Sequence, residues 1–473
     1  MNTTNDKLLH DHIPTLLIRL AVPMIIAQLV NVLYNIVDRL YISYIPDIGT
    51  AALTGVGVTF PILMLISAFS ALIGSGGAPL ASIRLGAGKQ EEAAKILGSC
   101  VYSLTVCALI LTLIFYLFRD PILIAFGASE ATLPYANSYL SIYLVGTIFV
   151  QYALGLNTFI NAQGFTKIGM ATVTLGAILN LVLDPLFIFV FHMGVQGAAL
   201  ATVISQAASA IWVIRFLSSS SSHLRIQRKY ICFQKHTVFL VLSLGISPFI
   251  MNSTDSLVSI VFNTQLKTMG GDLYVGSMVV LSSIMQIILL PIAGLNNGAQ
   301  PIISYNYGAG KHDRVTSAIR CAFIGNMTFT TIMCLLCTLC PYLLYNLFTP
   351  DPALRELLST VMPLYFFGIF MFGAQCAFQN AFLSLGQAKV SLVLALLRKV
   401  ILLIPLIFII PRITNMGVNG IYCAEGIADL LSGTITSITF FVVGRKLLNK
   451  RSPKDIELQE TIPDTYESSD SVI

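Results

Sequence analysis

Ala78-Pro79-Leu80-Ala81-Ser82-Ile83-Arg84-Leu85-Gly86-Ala87-Gly88-Lys89 returns 222 residues later as Gln300-Pro301-Ile302-Ile303-Ser304-Tyr305-Asn306-Tyr307-Gly308-Ala309-Gly310-Lys311. Each copy lies just past a long apolar run and leads into a charged patch. The chain is therefore a doubled membrane unit. Doubled membrane units are characteristic of secondary transporters, with substrate and ion sites near the bilayer middle, between or within the halves.

Composition sets the solvent. Hydrophobic residues make up 56% of the chain and charged residues 10%, against roughly 25% charged in an average soluble protein. A spanning helix needs about 20 mostly apolar residues. Twelve such runs are present, near 13–43, 48–78, 93–118, 134–158, 168–191, 195–217, 237–266, 274–303, 315–348, 356–383, 389–411 and 417–444. The fold expected is an all-α polytopic membrane protein with twelve transmembrane helices. The first run is long and broken by Pro23, so it is expected to stay as a helix and not leave as a signal peptide.

With both termini placed inside, the inner segments hold 20 Lys and Arg, and the outer side holds 5: Arg39, Arg119, Lys267, Arg355 and Arg412. Arg398 and Lys399, inside the eleventh run, are left out of that count. The bias is the positive-inside pattern of a plasma-membrane protein with cytoplasmic ends. The net charge of +5 is thus a topology signal and no footprint of nucleic-acid binding.

The repeat continues along the chain. Gly164 and Lys167 match Gly386 and Lys389; Gly194-Val195-Gln196-Gly197 matches Gly417-Val418-Asn419-Gly420; Pro23 pairs with Pro248 and Pro185 with Pro405. Six helices per half give both halves the same orientation, related by a pseudo-two-fold along the membrane normal. The division expected is a first bundle over 1–217, a cytoplasmic linker over 218–235, a second bundle over 236–444 and a disordered cytoplasmic tail over 445–473. The linker, with five serines from Ser218 to Ser222 before a basic cluster, reads as solvated. The Gly-Ala-Gly-Lys pairs read as helix stops at the inner face. A nucleotide P-loop needs Ser or Thr after the lysine, whereas Gln90 and His312 follow here, and Ile83 stands where the motif's first glycine would fall. No ATP-driven pump is implied.

Ionisable residues at membrane depth cost at least about 2.5–3.5 kcal/mol on insertion scales, so each one is informative. The carboxylates inside apolar runs are Asp38, Asp184, Asp255, Glu425 and Asp429. Asn180 precedes Asp184 by one helical turn, so both share a face. Pro185 follows, and a proline frees a backbone carbonyl one turn back. An acid, an amide and a loose carbonyl suit a proton or Na⁺. Asp38 and Thr202 fall at similar depth, so Asp38, Asn180, Asp184 and Thr202 form a candidate cation-binding and coupling pocket, with Pro23 and Pro185 as hinges. Aligned on the prolines, Asp184 faces Ile404, Asn180 faces Val400 and Asp38 faces Asn263. The unit is therefore built once without these acids, which argues that they are functional. Asp255 is a candidate for a second-half cavity. Glu425 and Asp429, four apart on one face, are candidates to share a site or a proton. No catalytic set and no metal site is expected. Cys334, Cys337 and Cys340 sit in an apolar helix without a fourth ligand and read as packing residues.

These residues carry a resemblance. Pro23 with Val37-Asp38, Pro79 with Arg84-Leu-Gly-Ala-Gly-Lys89, Asn180-x-x-x-Asp184-Pro185-Leu-Phe-Ile, and Gly194-x-x-Gly-Ala-Ala-x-Ala-Thr202 resemble the MATE (multidrug and toxic compound extrusion) transporters, on their bacterial DinF/MepA-like side. The resemblance implies two six-helix bundles around a V-shaped central cavity. It implies efflux of amphipathic, often cationic drugs in exchange for H⁺ or Na⁺, and a first-bundle cation site at Asp38, Asn180, Asp184 and Thr202, with the first helix bending at Pro23. Members with a second-bundle site use an acid on the seventh helix, approximately matched by Asp255, and one on the tenth. Here the tenth run holds only Glu356, at its outer end. No cofactor is implied beyond the coupling ion. The partners expected are a small-molecule substrate and the lipid bilayer, with the chain working as a monomer. A lipid-linked-precursor flippase of the same superfamily is the alternative; it calls for a cationic central groove.

Overall fold

The computed structural model describes residues 4–449, apart from 47 and 415. Ten helices are long and apolar enough to span a membrane, and two bent pairs bring the spans to twelve. In chain order they are α1 Ile13–Ser43, α2 Gly49–Gly86, α3 Gln90–Leu117, α4 Leu133–Val145 with Thr147–Ala162, α5 Thr166–Val190 and α6 Gly194–Ser218. The second half repeats the set as α7 Lys235–Gly270, α8 Asp272–Gly308, α9 His312–Leu339, α10 Pro352–Phe366 with Ile369–Ser384, α11 Ala388–Ile413 and α12 Asn419–Leu448. The bends in α4 (60°) and α10 (42°) fall at Gly146 and Gly368, again 222 apart. The tail expected from 445 begins as helix over Arg445–Asn449; its remainder lies outside the described residues.

The repeated motif is the end of a helix, as its glycines require. α2 runs through Pro79 to Gly86, and α8 through Pro301 to Gly308, about eight and five residues beyond the apolar runs. Gly88 and Gly310 then take positive φ (77° and 71°). That left-handed turn lets the amides of Lys89 and Lys311 reach back to the carbonyls of Arg84 and Asn306, each at 2.9 Å. The pairing is that of a glycine-terminated helix. Gly164 with Gly386, and Gly194 with Gly417, are also paired left-handed positions, so the repeat is conformational as well as spelled.

The apolar core has the form of a V. One cluster lies in the first half (Ile42, Ile62, Leu140, Ala198 among its members) and one in the second (Phe262, Ile284, Phe366, Tyr422). A third joins both halves near the motif ends, with Leu17, Ile73 and Ile83 packed alongside Val241, Ile302 and Phe382. The bundles therefore fuse at the end that carries the linker and the basic motifs, and part toward the other. Fusion depends on backbone-to-backbone approach. A β-carbon on Gly245 would overlap the carbonyl oxygen of Leu72; on Gly86, that of Tyr305; on Gly308, that of Ile83. On α8, Gly294 and Gly298 meet Ile25 and Ala21 of α1 in the same way. Outward faces carry exposed aliphatics such as Leu109, Leu113, Val182 and Ile332, as a lipid-facing surface requires.

Most of the 218–235 linker is exposed or half-buried, but three of its residues are not: Ser222, Leu224 and Tyr230. Gln163 is the reason for the first two: its Oε1 accepts from the Ser222 hydroxyl and from the amides of His223 and Leu224 (3.1, 2.8 and 2.9 Å). A strap is thereby stitched across the basic end before a short helical turn at Arg228–Tyr230. Around it, Tyr230 donates to Glu91 at 2.8 Å.

The fused end can be tested by volume. Gly308→Ala and Gly245→Ala should each lower the thermal unfolding midpoint of the purified protein, at an overpacking cost of about 1–3 kcal/mol. Gly57→Ala is the control, since a β-carbon there meets nothing within 4 Å; its midpoint should not fall.

Candidate functional site

Three helices of the first half bring the sequence candidates together. α5 carries Asn180 and Asp184 one turn apart, both buried. The Asn180 Nδ2 donates to Asp184 Oδ1 at 3.1 Å and reaches Thr202 Oγ1 on α6 at 3.4 Å. Thr202 in turn donates to the Ala198 carbonyl at 3.0 Å. Past Pro185 the backbone widens into a π-helical turn over Leu186–Val190, so the proline is absorbed without ending the span. From α1, the Asp38 carboxyl lies against that of Asp184. Among the described residues, no donor reaches one buried oxygen of each acid, Asp38 Oδ1 and Asp184 Oδ2. The Arg39 guanidinium acts on Asp38 by its charge but, among the described residues, forms no salt bridge with it, lying over the Phe60 ring 4.8 Å from the centroid.

A buried carboxyl (Asp184) and a half-buried one (Asp38) in contact, each short of a donor, are not stable as two naked anions. Like charges repel and burial disfavours charge. A proton between them, or a cation held by both, supplies what is missing. Tyrosines that the sequence reading passed over surround the pair. Tyr34 sits one turn before Asp38 and within the field of both acids. Tyr139 lies against Thr202 and Asp38 and stacks on Tyr143, centroids 6.2 Å apart. Beside them opens a cavity of about 240 Å³ rich in amides, including Gln28, Asn31, Asn157, Asn161 and Gln206.

The second half solves the charge problem within itself. Arg398 on α11 donates to Glu425 and to Asp429 of α12, both at 2.7 Å, with all three side chains buried. Its guanidinium also covers the Phe372 ring at 4.4 Å. Of the two readings the sequence left open, a shared site or a shared proton, the pair takes a shared partner: both acids meet the Arg398 guanidinium. Lys399 donates to Asp255 and, at 2.7 Å, to the Met251 carbonyl. Both cations sit in a second π-helical stretch, Leu397–Leu403. Asp255, Glu425, Arg398 and Lys399 line a cavity of about 600 Å³. Asn297 lines both cavities, so the two meet between the bundles.

The MatE family model matches residues 23–186 and 248–409, one block in each half. The chain belongs to the MATE family. It is 26% identical over 438 residues to the multidrug export protein MepA of Staphylococcus haemolyticus, covering 92% of this chain and 95% of that protein. To MepA of Staphylococcus aureus it is 26% identical over 428 residues, covering 90% and 93%. Its fold superposes on a crystal structure of MATE in the bent conformation with a TM-score of 0.87, at 21% identity over 94% of this chain and 98% of that one.

Within this MATE fold the repeat places unlike chemistry at like positions. At the offset of 223 set by Gly194 and Gly417, Glu425 stands where the first half has Thr202. Arg398 and Lys399 were visible in the sequence as costly mid-membrane cations, but their partners were not. The helical cysteines pack as expected of small apolar residues: Cys337 is fully buried, and Cys334 reaches the Phe367 carbonyl at 3.4 Å.

Cutting one partner from the buried triad strands the others. Arg398→Met should destabilise the protein by about 3–5 kcal/mol, since two acids lose their counterion. Arg398→Met with Glu425→Gln and Asp429→Asn should recover most of that loss. Thermal unfolding of the detergent-purified single and triple variants checks both.

Proposed function

We propose that this protein is a secondary active antiporter of the plasma membrane, exporting amphipathic, often cationic compounds in exchange for H⁺ or Na⁺ by alternating access. The observation that supports this reading is the contact between Asp38 and Asp184, each with a buried oxygen that no donor among the described residues reaches, beside an amide-lined cavity. A proton or cation entering there neutralises like charge and resets the hydrogen bonds of Asn180 and Thr202. Coupling then needs only that the bound cation favour one access state over the other. One proton moving down 100 mV supplies about 2.3 kcal/mol, enough for a roughly fifty-fold gradient.

The basic end, where the bundles fuse, is taken as cytoplasmic, with both termini there, by the positive-inside bias. The bundles part at the opposite end, so this arrangement offers its cavities to the outside. The relatives named MepA are multidrug exporters, and the full-length match supports the same cargo class. One chain encloses both cavities, so a monomer is the working unit, with no enzymatic step and no cofactor other than the coupling ion. The flippase alternative gains nothing from the structure: the two cations of the larger cavity are met by three carboxylates, which does not make a cationic groove.

The test is ethidium efflux from vesicles under imposed pH or Na⁺ gradients. Wild type should respond to one of the two gradients. Asp38→Asn and Asp184→Asn should each lose gradient-driven efflux by about a hundredfold, the low end of what one positioned proton-transfer group contributes. Normal pumping by both variants would overturn the coupling site.

A further inference from the structure

The larger cavity holds a charge arrangement that the coupling reaction leaves unused. The Asp255 side chain is 66% exposed, toward the cavity it lines, while its partner Lys399 is only 9% exposed. Lys399 is thus a buried ammonium plugged onto an open acid. Two residues away in the network, Arg398 is fully engaged by Glu425 and Asp429. Three carboxylates therefore face two cations, and one acid is in excess. Glu425 lines the same cavity and acts on the Lys399 charge, so a second acid stands near the ammonium. The rest of the lining includes Met251, Met278, Met285 and Phe262, adaptable and polarisable walls suited to varied apolar cargo.

We propose that Lys399 is a tethered counterion that holds Asp255 until a monovalent organic cation displaces it, and that this exchange sets the affinity of the cavity for its substrate. The inference rests on the export of cationic compounds proposed above and names the side chain that tunes their binding. When the cation takes Asp255, Lys399 turns toward Glu425 and Arg398 keeps Asp429. Three acids then meet three cations one to one. An anion of the same shape would add to the charge already in excess. Lysine suits the task because it is a point charge on a flexible stem. Arginine at the same place would grip Asp255 through a planar fork and release it less readily.

The experiment is direct binding of tetraphenylphosphonium to the full-length protein in lipid nanodiscs, with tetraphenylborate as an anion of the same shape. Lys399→Gln removes the competitor and should tighten phosphonium binding by about tenfold, within the range measured for close charge pairs. Lys399→Arg should weaken it several-fold, and Asp255→Asn should weaken it by about tenfold. Tetraphenylborate should show no saturable binding. A purely structural lysine would give loss with both Gln and Arg, and that result overturns the proposal. So does unchanged or weaker binding by monodisperse Lys399→Gln, or borate binding as tight as phosphonium. If Lys399→Gln does not give a monodisperse protein, Lys399→Arg decides: binding equal to or tighter than wild type overturns the tether. The antiport reading fails separately. Affinities that follow residue 399 without any gradient-driven efflux would keep the tether and remove the pump; efflux with affinities indifferent to residue 399 would do the reverse.

Discussion

One oxygen of Asp184 is held by Asn180, while among the described residues its other oxygen and Oδ1 of Asp38 are buried without a hydrogen-bond donor. In water this would be trivial. Inside a bilayer it is an unfinished charge balance, because the surrounding hydrocarbon supplies no donor to complete it. Everything else in the first half is arranged so that the balance stays unfinished. Arg39 lies over Phe60 and, among the described residues, forms no salt bridge with Asp38. The neighbouring polar groups are an amide, a hydroxyl and phenols, none of which carries a positive charge. On the antiport reading proposed above, a mobile cation would complete this balance, and its coming and going would be the coupling event.

The second half is the contrast that gives this weight. The same helical frame holds Asp255, Glu425 and Asp429, yet Lys399 and Arg398 are built in beside them. Buried charges there are paired by neighbouring side chains, so binding a proton or Na⁺ is not needed to make the half stable. The remaining excess acid is open to a cavity large enough for an organic molecule. One unit, duplicated, thus carries two electrostatic arrangements: in the first half two acids without a salt bridge among the described residues, in the second acids paired with Arg398 and Lys399.

Much of the frame was legible because backbone constraints are spelled locally. Glycines at left-handed turns and prolines inside apolar runs recur at nearly constant offset, and the helices end where Gly88 and Gly310 require. Asp38, Asn180, Asp184 and Thr202 could be grouped because depth follows from run position and three of them lie on adjacent helices. Arg398 could not be assigned its acids. Which face of α11 meets α12 depends on the π-helical turn at Leu397–Leu403, and i+4 spacing rules do not foresee that register shift. Tyr34 and Tyr139 were passed over because an uncharged phenol carries no cost signal in an apolar run. The buried strap over Ser222 and Leu224 hangs on Gln163, some sixty residues away, and no local serine pattern reports such a partner.

The coupling route is set by what α1 touches at its two ends. Near the basic end, Ala21 and Ile25 press against Gly298 and Gly294 of α8, and Pro23 lies between them. Toward the other end the same helix carries Tyr34 and Asp38. A proline removes one backbone hydrogen bond and permits a bend, and here it does so inside the contact that fuses the bundles. Movement of Asp38 toward or away from Asp184 must be taken up somewhere along α1, and Pro23 is where the helix is weakest. Glycine contacts of this kind do not stretch gradually, because packed backbones either fit or part. On the antiport reading proposed above, a small displacement at the acid pair would thereby become a choice between a closed and an opened basic end, the two-state element that alternating access requires.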